Sequence, residues 1–440
     1  MMKILKFGGT SMGSAERMKE VAGLVSGNNG KKIVVLSAMA GTTNQLVKIA
    51  EYLYAKENNQ AAQVIDNLEM TYSQVVNELF SIKEYSEKGK ELITSHFTYI
   101  RSFTRDIFTR YEERAVLAQG ELISTALFQF YLEEKGIKSV LLPALNFMRI
   151  DTNQEPDNFY IKENLERELS KYPDDNLFIT QGYICRNLYG EVDNLKRGGS
   201  DYSASLIGAA VGADEIQIWT DISGMHNNDP RIVKNTRPIY RLTFDEAAEL
   251  AYFGAKILHP SSILPAQLKG IPVRLKNTMQ PEDQGTLISS DTSGEGIKAI
   301  AAKDGITAIK IKSGRMLMAY GFLRRVFEVF ERYKTPIDMI STSEVSVSLT
   351  VDDTTWMEKI IDELKNYGSV EVSEGNTIIC LVGYTIVEQK GHIGKIFEAL
   401  KHISLRMISY GGSRHSISLL INSGDKEEVL QSLHKSLFVD

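Results

Sequence analysis

At 440 residues the chain is longer than one ordinary hydrophobic core organises, so two or more domains are expected. A composition 43 % hydrophobic and 24 % charged excludes a disordered chain, and a net charge of −6 argues against nucleic acid as the main partner. The two cysteines, Cys185 and Cys380, are too few and too far apart for a disulfide framework or a metal knuckle, and buried free thiols in a reducing compartment are expected.

The N-terminus runs from Met1-Met2-Lys3-Ile4-Leu5-Lys6-Phe7 straight into glycines, with no apolar stretch ending in a cleavage site. Apolar runs such as residues 33–39 are far shorter than the ~20 residues a membrane helix needs. No membrane partner and a cytoplasmic location are therefore expected.

Residues 4–7 read as a short strand, followed by Gly8-Gly9 and an amphipathic helix over 15–25. Residues 32–38 are β-branched and apolar, as in a strand buried on both faces. The pattern recurs at 139–143, 177–183, 215–220 and 272–275, with helical segments between. Helical periodicity and many charges over 59–135 predict surface helices inserted between two strands. The fold class is thus α/β, a mostly parallel sheet with helices on both faces. Ligands of such sheets sit beyond the carboxyl ends of the strands, where glycine clusters fall here.

A loop rich in Gly, Ser, Thr and Asp over 277–296 marks a change of composition, and an internal repeat follows. Gly321-Phe322-Leu323 opens a helix leading to Asp338-Met339-Ile340-Ser341 and Val345-Ser346-Val347-Ser348-Leu349. Gly391-His392-Ile393 opens another, leading to Arg406-Met407-Ile408-Ser409 and Ser416-Ile417-Ser418-Leu419. Each copy reads strand, helix, strand, strand, helix, so the segment holds two copies of one βαββαβ module. The second copy ends at Leu437-Phe438 with no strand left to complete it. The unclaimed strand at 306–311 is expected to close its sheet, which makes the first module an insertion. The expected division is 1–296, then 313–375 as the first module, then 297–312 plus 376–440 as the second.

Four constellations carry chemistry. At Lys6-Phe7-Gly8-Gly9-Thr10-Ser11, glycines let the backbone approach a ligand, helix N–H groups attract anions, and Lys6 adds a positive charge. The GxxxxGK[ST] pattern is absent, so this is not a P-loop, and a plain strand-to-helix turn is the competing reading. At Asn194-Leu195-Lys196-Arg197-Gly198-Gly199-Ser200-Asp201 two cations meet glycines at a helix start. That suits phosphate or a substrate carboxylate, with Arg197 able to bind bidentately; Asp201 could instead cap its helix. Trp219-Thr220-Asp221-Ile222-Ser223-Gly224, running on to Asp229-Pro230-Arg231, could bind nucleotide or form an Asx turn, and His226 there reads more readily as a surface residue. Phe253-Gly254-Ala255-Lys256-Ile257-Leu258-His259-Pro260 offers a second cation in Lys256, while His259 before proline reads as structural.

Taken with Ser37-Ala38-Met39-Ala40-Gly41-Thr42-Thr43-Asn44, Gly120-Glu121 and the paired modules, the set resembles the amino-acid kinase superfamily. Within it the chain is similar to the aspartate kinases, of the monofunctional, lysine-sensitive type with two C-terminal ACT domains. The resemblance covers nearly the whole chain. It implies ATP-dependent phosphorylation of the side-chain carboxylate of L-aspartate, the first step of lysine, threonine and methionine biosynthesis. Lys6 and Lys256 are implied to stabilise the transferring γ-phosphoryl group, with Asp201 holding the lysines in place. Glu121 is implied to pair with the substrate ammonium and Arg197 with its α-carboxylate, with Ser37, Thr43, Gly199 and Ser200 nearby. Gly8, Gly9, Thr220, Asp221, His226 and Arg231 are implied to line the nucleotide pocket. Mg2+ is implied to bridge the ATP phosphates, largely through waters and substrate oxygens.

Two positions depart from many relatives. Lys196 stands where glycine is common, and His226 fills a position often aromatic. The segment 339–351 resembles the effector-binding segment of lysine-inhibited aspartate kinases, with Met316, Asp338, Ser343 and Glu344 implied as allosteric residues. Met318-Ala319-Tyr320 replaces polar residues usual there. A homodimer, or a dimer of dimers, through the ACT domains is implied. The rival readings are a kinase of the same superfamily acting on glutamate, and a catalytically inactive ACT-type amino-acid sensor. Lys6, Asp201 and Lys256 together count against the sensor, because decay should strike the chemistry first.

Overall fold

The computed structural model describes residues 2–27, 30–105, 107–195, 198–254, 258–291, 296–314 and 320–439. Lys196, Arg197, Lys256, Met316, Met318 and Ala319 lie outside the described residues. The chain forms two compact units. The first comprises 1–225, 240–244 and 257–291; the second comprises 226–239, 245–256 and 292–440.

In the first unit the strands are β1 (Met2–Phe7), β2 (Lys31–Leu36), β3 (Val140–Leu141), β4 (Leu177–Gln181), β5 (Ile184–Arg186), β6 (Val192–Asn194), β7 (Glu215–Thr220), β8 (Arg241–Thr243), β9 (Val273–Asn277) and β10 (Thr286–Ser289). Eight of them form one sheet in the order β3-β4-β2-β1-β7-β9-β10-β8, parallel throughout except for the antiparallel pair β9/β10. β5 and β6 make a separate hairpin. The central strands are buried on both faces, as their unbroken apolar runs require: Ile33, Val34, Val35 and Leu36 are all fully buried.

The helices of this part are α1 (Ala15–Ser26), α2 (Thr42–Tyr54), α3 (Asn58–Leu79), α4 (Lys83–Ser102), α5 (Arg110–Glu134), α6 (Asn158–Ser170), α7 (Gly199–Val211), α8 (Phe244–Tyr252) and α9 (Leu264–Lys269), with most of α8 belonging to the second unit. The inserted helices are not all surface elements, as the charge-rich sequence predicts. α3 and α4 bury Tyr72 and Phe97 against each other, and α5 buries more than half its residues, including Gln119, Glu121, Ser124 and Thr125. Buried polar groups inside a helix imitate a surface pattern, which is why periodicity alone misplaces α5. Among the described residues no helix is long and apolar enough to cross a membrane. Both cysteines are free and buried.

The second unit contains β11 (Gly296–Lys312), α10 (Phe322–Arg332), β12 (Ile340–Thr342), β13 (Ser346–Val351), α11 (Met357–Leu364), β14 (Ser369–Tyr384), α12 (His392–Ala399), β15 (Met407–Ser409), β16 (Ser416–Asn422) and α13 (Lys426–Phe438). Its six-stranded sheet runs β12-β13-β11-β14-β16-β15, all antiparallel. One strand assignment is corrected. Residues 307–312 of β11 pair with β13 of the first repeat, not with the second; the residues aligned with the second repeat's end of β14 are 296–303. The two long strands β11 and β14 run through both repeats, with register shifts near Ile306 where one half gives way to the other. A single unclaimed strand in sequence is therefore half of a strand twice its length. Two apolar clusters result: Ile309, Val326, Phe330, Leu349 and Ile360 in one, and Ile379, Ile396, Leu419, Val429 and Leu433 in the other.

Candidate active site

The strand register places three of the singled-out segments side by side. Phe7 lies opposite Leu36 of β2 and opposite Trp219 of β7, so Gly8, Ser37 and Thr220 all follow the carboxyl ends of adjacent parallel strands. Backbone bonds fix the junction: Gly8 N–H donates to the Trp219 carbonyl at 3.2 Å, and Ser37 N–H to the Phe7 carbonyl at 3.2 Å. Gly9 passes so close to β2's exit that a Cβ on it would sit 3.2 Å from the Ala38 carbonyl oxygen.

Lys6 points its ammonium beyond the strand end, where it pairs with Asp201 at 2.7 Å. Both side chains are largely shielded, at 12 % and 15 % exposure. Asp201 lies in the first turn of α7, whose N-cap is Gly198 in the left-handed region at φ 71°. Its carboxylate is thus turned to Lys6, leaving the cap to glycine.

Across from this pair stands Glu121, in the middle of α5 and 3 % exposed. Gly120 explains how α5 comes so near: a Cβ there would meet the Ala38 Cβ at 2.8 Å. The Ser124 hydroxyl donates to the Ser37 carbonyl at 2.8 Å, and Ala38 N–H donates to Glu121 Oε1 at 3.3 Å. Glu121 Oε2 has no partner among the described residues. Burial pushes the Glu121 carboxyl up to about 8, against the two backbone hydrogen bonds that favour its charge. A buried carboxylate with a free oxygen is poised for a cation.

Glu121 lines a cavity of about 370 Å³ whose walls also include Gly9, Ser37, Thr43, Gly199 and Ser200. Five of the six residues expected to bind the acceptor, all but Arg197, line this one space. The cavity also has walls not singled out in sequence. Tyr183 lies in the left-handed region at φ 65°, unusual for an aromatic residue, and its ring packs where a Cβ on Gly199 would be, at 2.4 Å. Tyr72 lies behind the loop, fully buried, with its hydroxyl 2.9 Å from the Thr42 hydroxyl. Neither residue sits in a motif; only the glycines they pack against are legible in sequence.

The nucleotide candidates divide. Gly8, Gly9, Thr220 and Asp221 share the first unit, with Thr220 and Asp221 joined by a 3.0 Å hydrogen bond. His226 and Arg231 belong to the second unit. His226 Nδ1 lies 3.1 Å from the Thr236 hydroxyl, and burial lowers its pKa, favouring the neutral ring. Arg231 is exposed and makes two hydrogen bonds to Asp229, at 2.9 and 2.7 Å. His259 is structural as expected, accepting from Ser261 N–H at the start of a short helical turn.

Of the allosteric candidates, Ser343 and Glu344 are exposed on the turn between β12 and β13. Asp338 is different: its side chain is fully buried and lies 2.7 Å from the Lys303 ammonium and 2.8 Å from the Tyr252 hydroxyl. Lys303 also reaches Asp352 at 2.9 Å and stands over the Tyr252 ring at 4.3 Å. Burial alone would lower the Lys303 pKa, yet the hydrogen bonds from both carboxylates raise it, so the ammonium stays charged.

Comparison with known proteins accounts for this arrangement. Residues 1–277 match the amino acid kinase family and residues 379–437 match an ACT domain. The chain is 35 % identical to the lysine-sensitive aspartokinase 3 of Escherichia coli, covering 99 % of both chains. Among solved structures it is similar to E. coli aspartokinase III in complex with aspartate and ADP in the R-state, with a TM-score of 0.85, 33 % identity and full coverage of both chains. The complex of the same enzyme with lysine and aspartate, in the T-state, gives a TM-score of 0.83 at 33 % identity over 99 % of each chain. The chain belongs to the amino acid kinase family and, within it, to the aspartokinases.

Proposed function

We propose that this protein transfers the γ-phosphoryl group of ATP to the side-chain carboxylate of L-aspartate, giving 4-phospho-L-aspartate and ADP. The observation that carries the acceptor assignment is Glu121: a buried carboxyl group with an unpartnered oxygen, on a residue that lines the cavity, suits an α-ammonium group. The relatives' complexes with aspartate and ADP support the same reading.

In this mechanism the aspartate β-carboxylate, already ionised at neutral pH, attacks the γ-phosphorus. The bond to the β–γ bridging oxygen breaks, and that oxygen leaves with ADP. No protein base is needed, so the protein's contribution is positioning and charge stabilisation. Lys6, held by Asp201, supplies positive charge beside the transferring group. Lys256 is proposed as the second cation and Arg197 as the partner of the α-carboxylate. The N–H groups opening α7 at Gly199 and Ser200 favour an anionic end of the substrate. Ser37 and Thr43 line the acceptor space; Gly8, Gly9, Thr220, Asp221, His226 and Arg231 are proposed for the nucleotide. Mg2+ would accompany ATP and would supply charge neutralisation on the phosphates. Among the described residues no three acidic, imidazole or thiol groups converge on a site of their own.

Residues 1–296 are proposed as the catalytic domain and the remainder as paired ACT domains that bind lysine as an inhibitor and join two copies of the chain. The relative's complex with lysine supports the effector. The test is ADP production from ATP with aspartate, against glutamate and a no-acceptor control, with and without lysine. Aspartate-dependent turnover suppressed by lysine is expected. Turnover with glutamate alone, or none with either acid, would sink the assignment.

A further inference from the structure

The acceptor cavity is lined by elements that do not follow each other in sequence. Besides Gly9 and the loop after β2, its walls include Glu121 on α5 and Tyr183, Gly199 and Ser200. The Tyr183 side hangs on the β5/β6 hairpin. Leu195 N–H donates to the Tyr183 carbonyl at 2.7 Å across the hairpin's base. Gly182 and Gly199 are packed so closely that a Cβ would fall 2.5 Å from the Ser200 Cβ and 2.4 Å from the Tyr183 ring, respectively, and Tyr183 N–H donates to the Ser203 hydroxyl at 2.9 Å. Hairpin base and α7 N-terminus are therefore packed together.

A charged contact ties the hairpin to α5. Arg114 pairs through Nη1 with Asp193 of β6, whose carboxylate also accepts from Asn194 N–H at 2.7 Å. Asp193 is 2 % exposed. Arg114 precedes Glu121 by seven residues, two helical turns, so both side chains leave α5 on one face. Beside the pair lies a polar cavity of about 120 Å³, whose walls include Arg110, Glu113, Gln154 and Asn194. α5 also packs directly against β6, and the Arg114–Asp193 pair is the charged contact within that interface.

We infer that the Arg114–Asp193 pair positions the acceptor site: it sets the span between Glu121 and the Gly199–Ser200 wall, and so the length of amino acid the cavity takes. This rests on the reading of the cavity as the aspartate site. Arg114 touches no substrate; it acts through α5 and the hairpin. A short acceptor is selected when the two ends of the site are fixed, and misplacement by about 1 Å can cost a reaction up to ~100-fold.

The test is steady-state kinetics on the full-length enzyme for Arg114→Gln, Asp193→Asn, the double variant and Arg114→Lys. The single variants should raise the aspartate KM about tenfold, leave the ATP KM and kcat within about twofold, and narrow the preference for aspartate over glutamate. The double variant should cost no more than either single one, because both remove the same contact. Arg114→Lys, which keeps the charge, should recover most of the loss. Melting curves accompany each variant. The inference is overturned by a variant that melts early yet keeps the wild-type aspartate KM, by equal rises in both KM values, or by additive losses in the double variant. Wild-type enzyme with no aspartate-dependent turnover is a separate result; it would remove the reading of the cavity and this inference with it.

Discussion

Two buried carboxylates, one in each unit, show how the same group can be kept ready or kept occupied. Glu121 has a free oxygen and only a backbone N–H at the other, at 3.3 Å. Asp338 has an oxygen without a hydrogen-bond partner too, but its other oxygen is held by the chain's own Lys303 and by Tyr252. The first is paired with no cation among the described residues and is proposed to take the acceptor's ammonium. The second already contains an ammonium, supplied from β11. An amine binding at Asp338 must therefore displace or share with Lys303, and its apparent affinity is discounted by that exchange. An amine binding at Glu121 competes only with a proton.

The contrast also bears on how an effector could reach Lys256, the proposed second catalytic cation. Tyr252, which donates to Asp338, stands four residues before Lys256. Its neighbour Gly254 lies at φ 133° against Ala302, where a Cβ would meet the carbonyl oxygen at 2.2 Å. The segment leading to Lys256 is thus pinned to β11 beside the residue that holds Asp338. An effector changes activity only if it binds two such arrangements unequally.

The largest effect that could break the comparison is at Glu121. Glu121→Gln should lower kcat/KM for aspartate by ~100-fold or more, since removing one partner of a buried pair costs about 3–5 kcal/mol. The same variant should not be less stable. The Glu121 pKa is raised in the fold, so the stability it contributes is present below the ordinary carboxylate range and lost as pH rises through about 8. Ligand-free Glu121→Gln should accordingly melt above wild type at pH 8–9. A lower melting point there would mean that Glu121 is a structural carboxylate.

A smaller effect is expected at Lys303. Lys303→Met leaves Asp338 without its internal cation, so the half-inhibiting lysine concentration should fall about tenfold while ligand-free stability drops. Lysine should restore that stability in a melting assay. A weakened response to lysine would make Lys303 part of the effector's own contact set. The smallest effect is at Tyr252, where Tyr252→Phe removes one donor from an oxygen that Lys303 still holds, a net loss of about 0.5–1 kcal/mol. The lysine response should shift a few-fold, with the acceptor KM unmoved.

Much of this is legible in the sequence because glycine and charge mark strand ends. The parallel sheet, the repeat and the grouping of Lys6, Ser37, Glu121 and Ser200 all follow from motifs. What escapes are residues outside the motifs: Tyr183, Tyr72, Arg114 and Asp193, and the Lys303 that pairs with Asp338. Each is an ordinary residue locally and acquires its role only when distant elements pack. The length of β11 escapes for a related reason, since a strand serving two repeats has no single period. The burial of α5 escapes because its polar residues are paired inside the fold, Gln119 with His96, Ser124 with the Ser37 carbonyl and Thr125 with the Glu121 carbonyl.

The most direct test of the central claim is calorimetry of aspartate binding in buffers of different ionisation heat. Burial raises the Glu121 carboxyl to about 8, so at pH 7 the free site is mostly protonated and pairing with the substrate ammonium should release protons. That release should fall toward zero by pH 9. Binding without proton release at pH 7, or release unchanged in Glu121→Gln, would contradict Glu121 as the acceptor's ammonium partner.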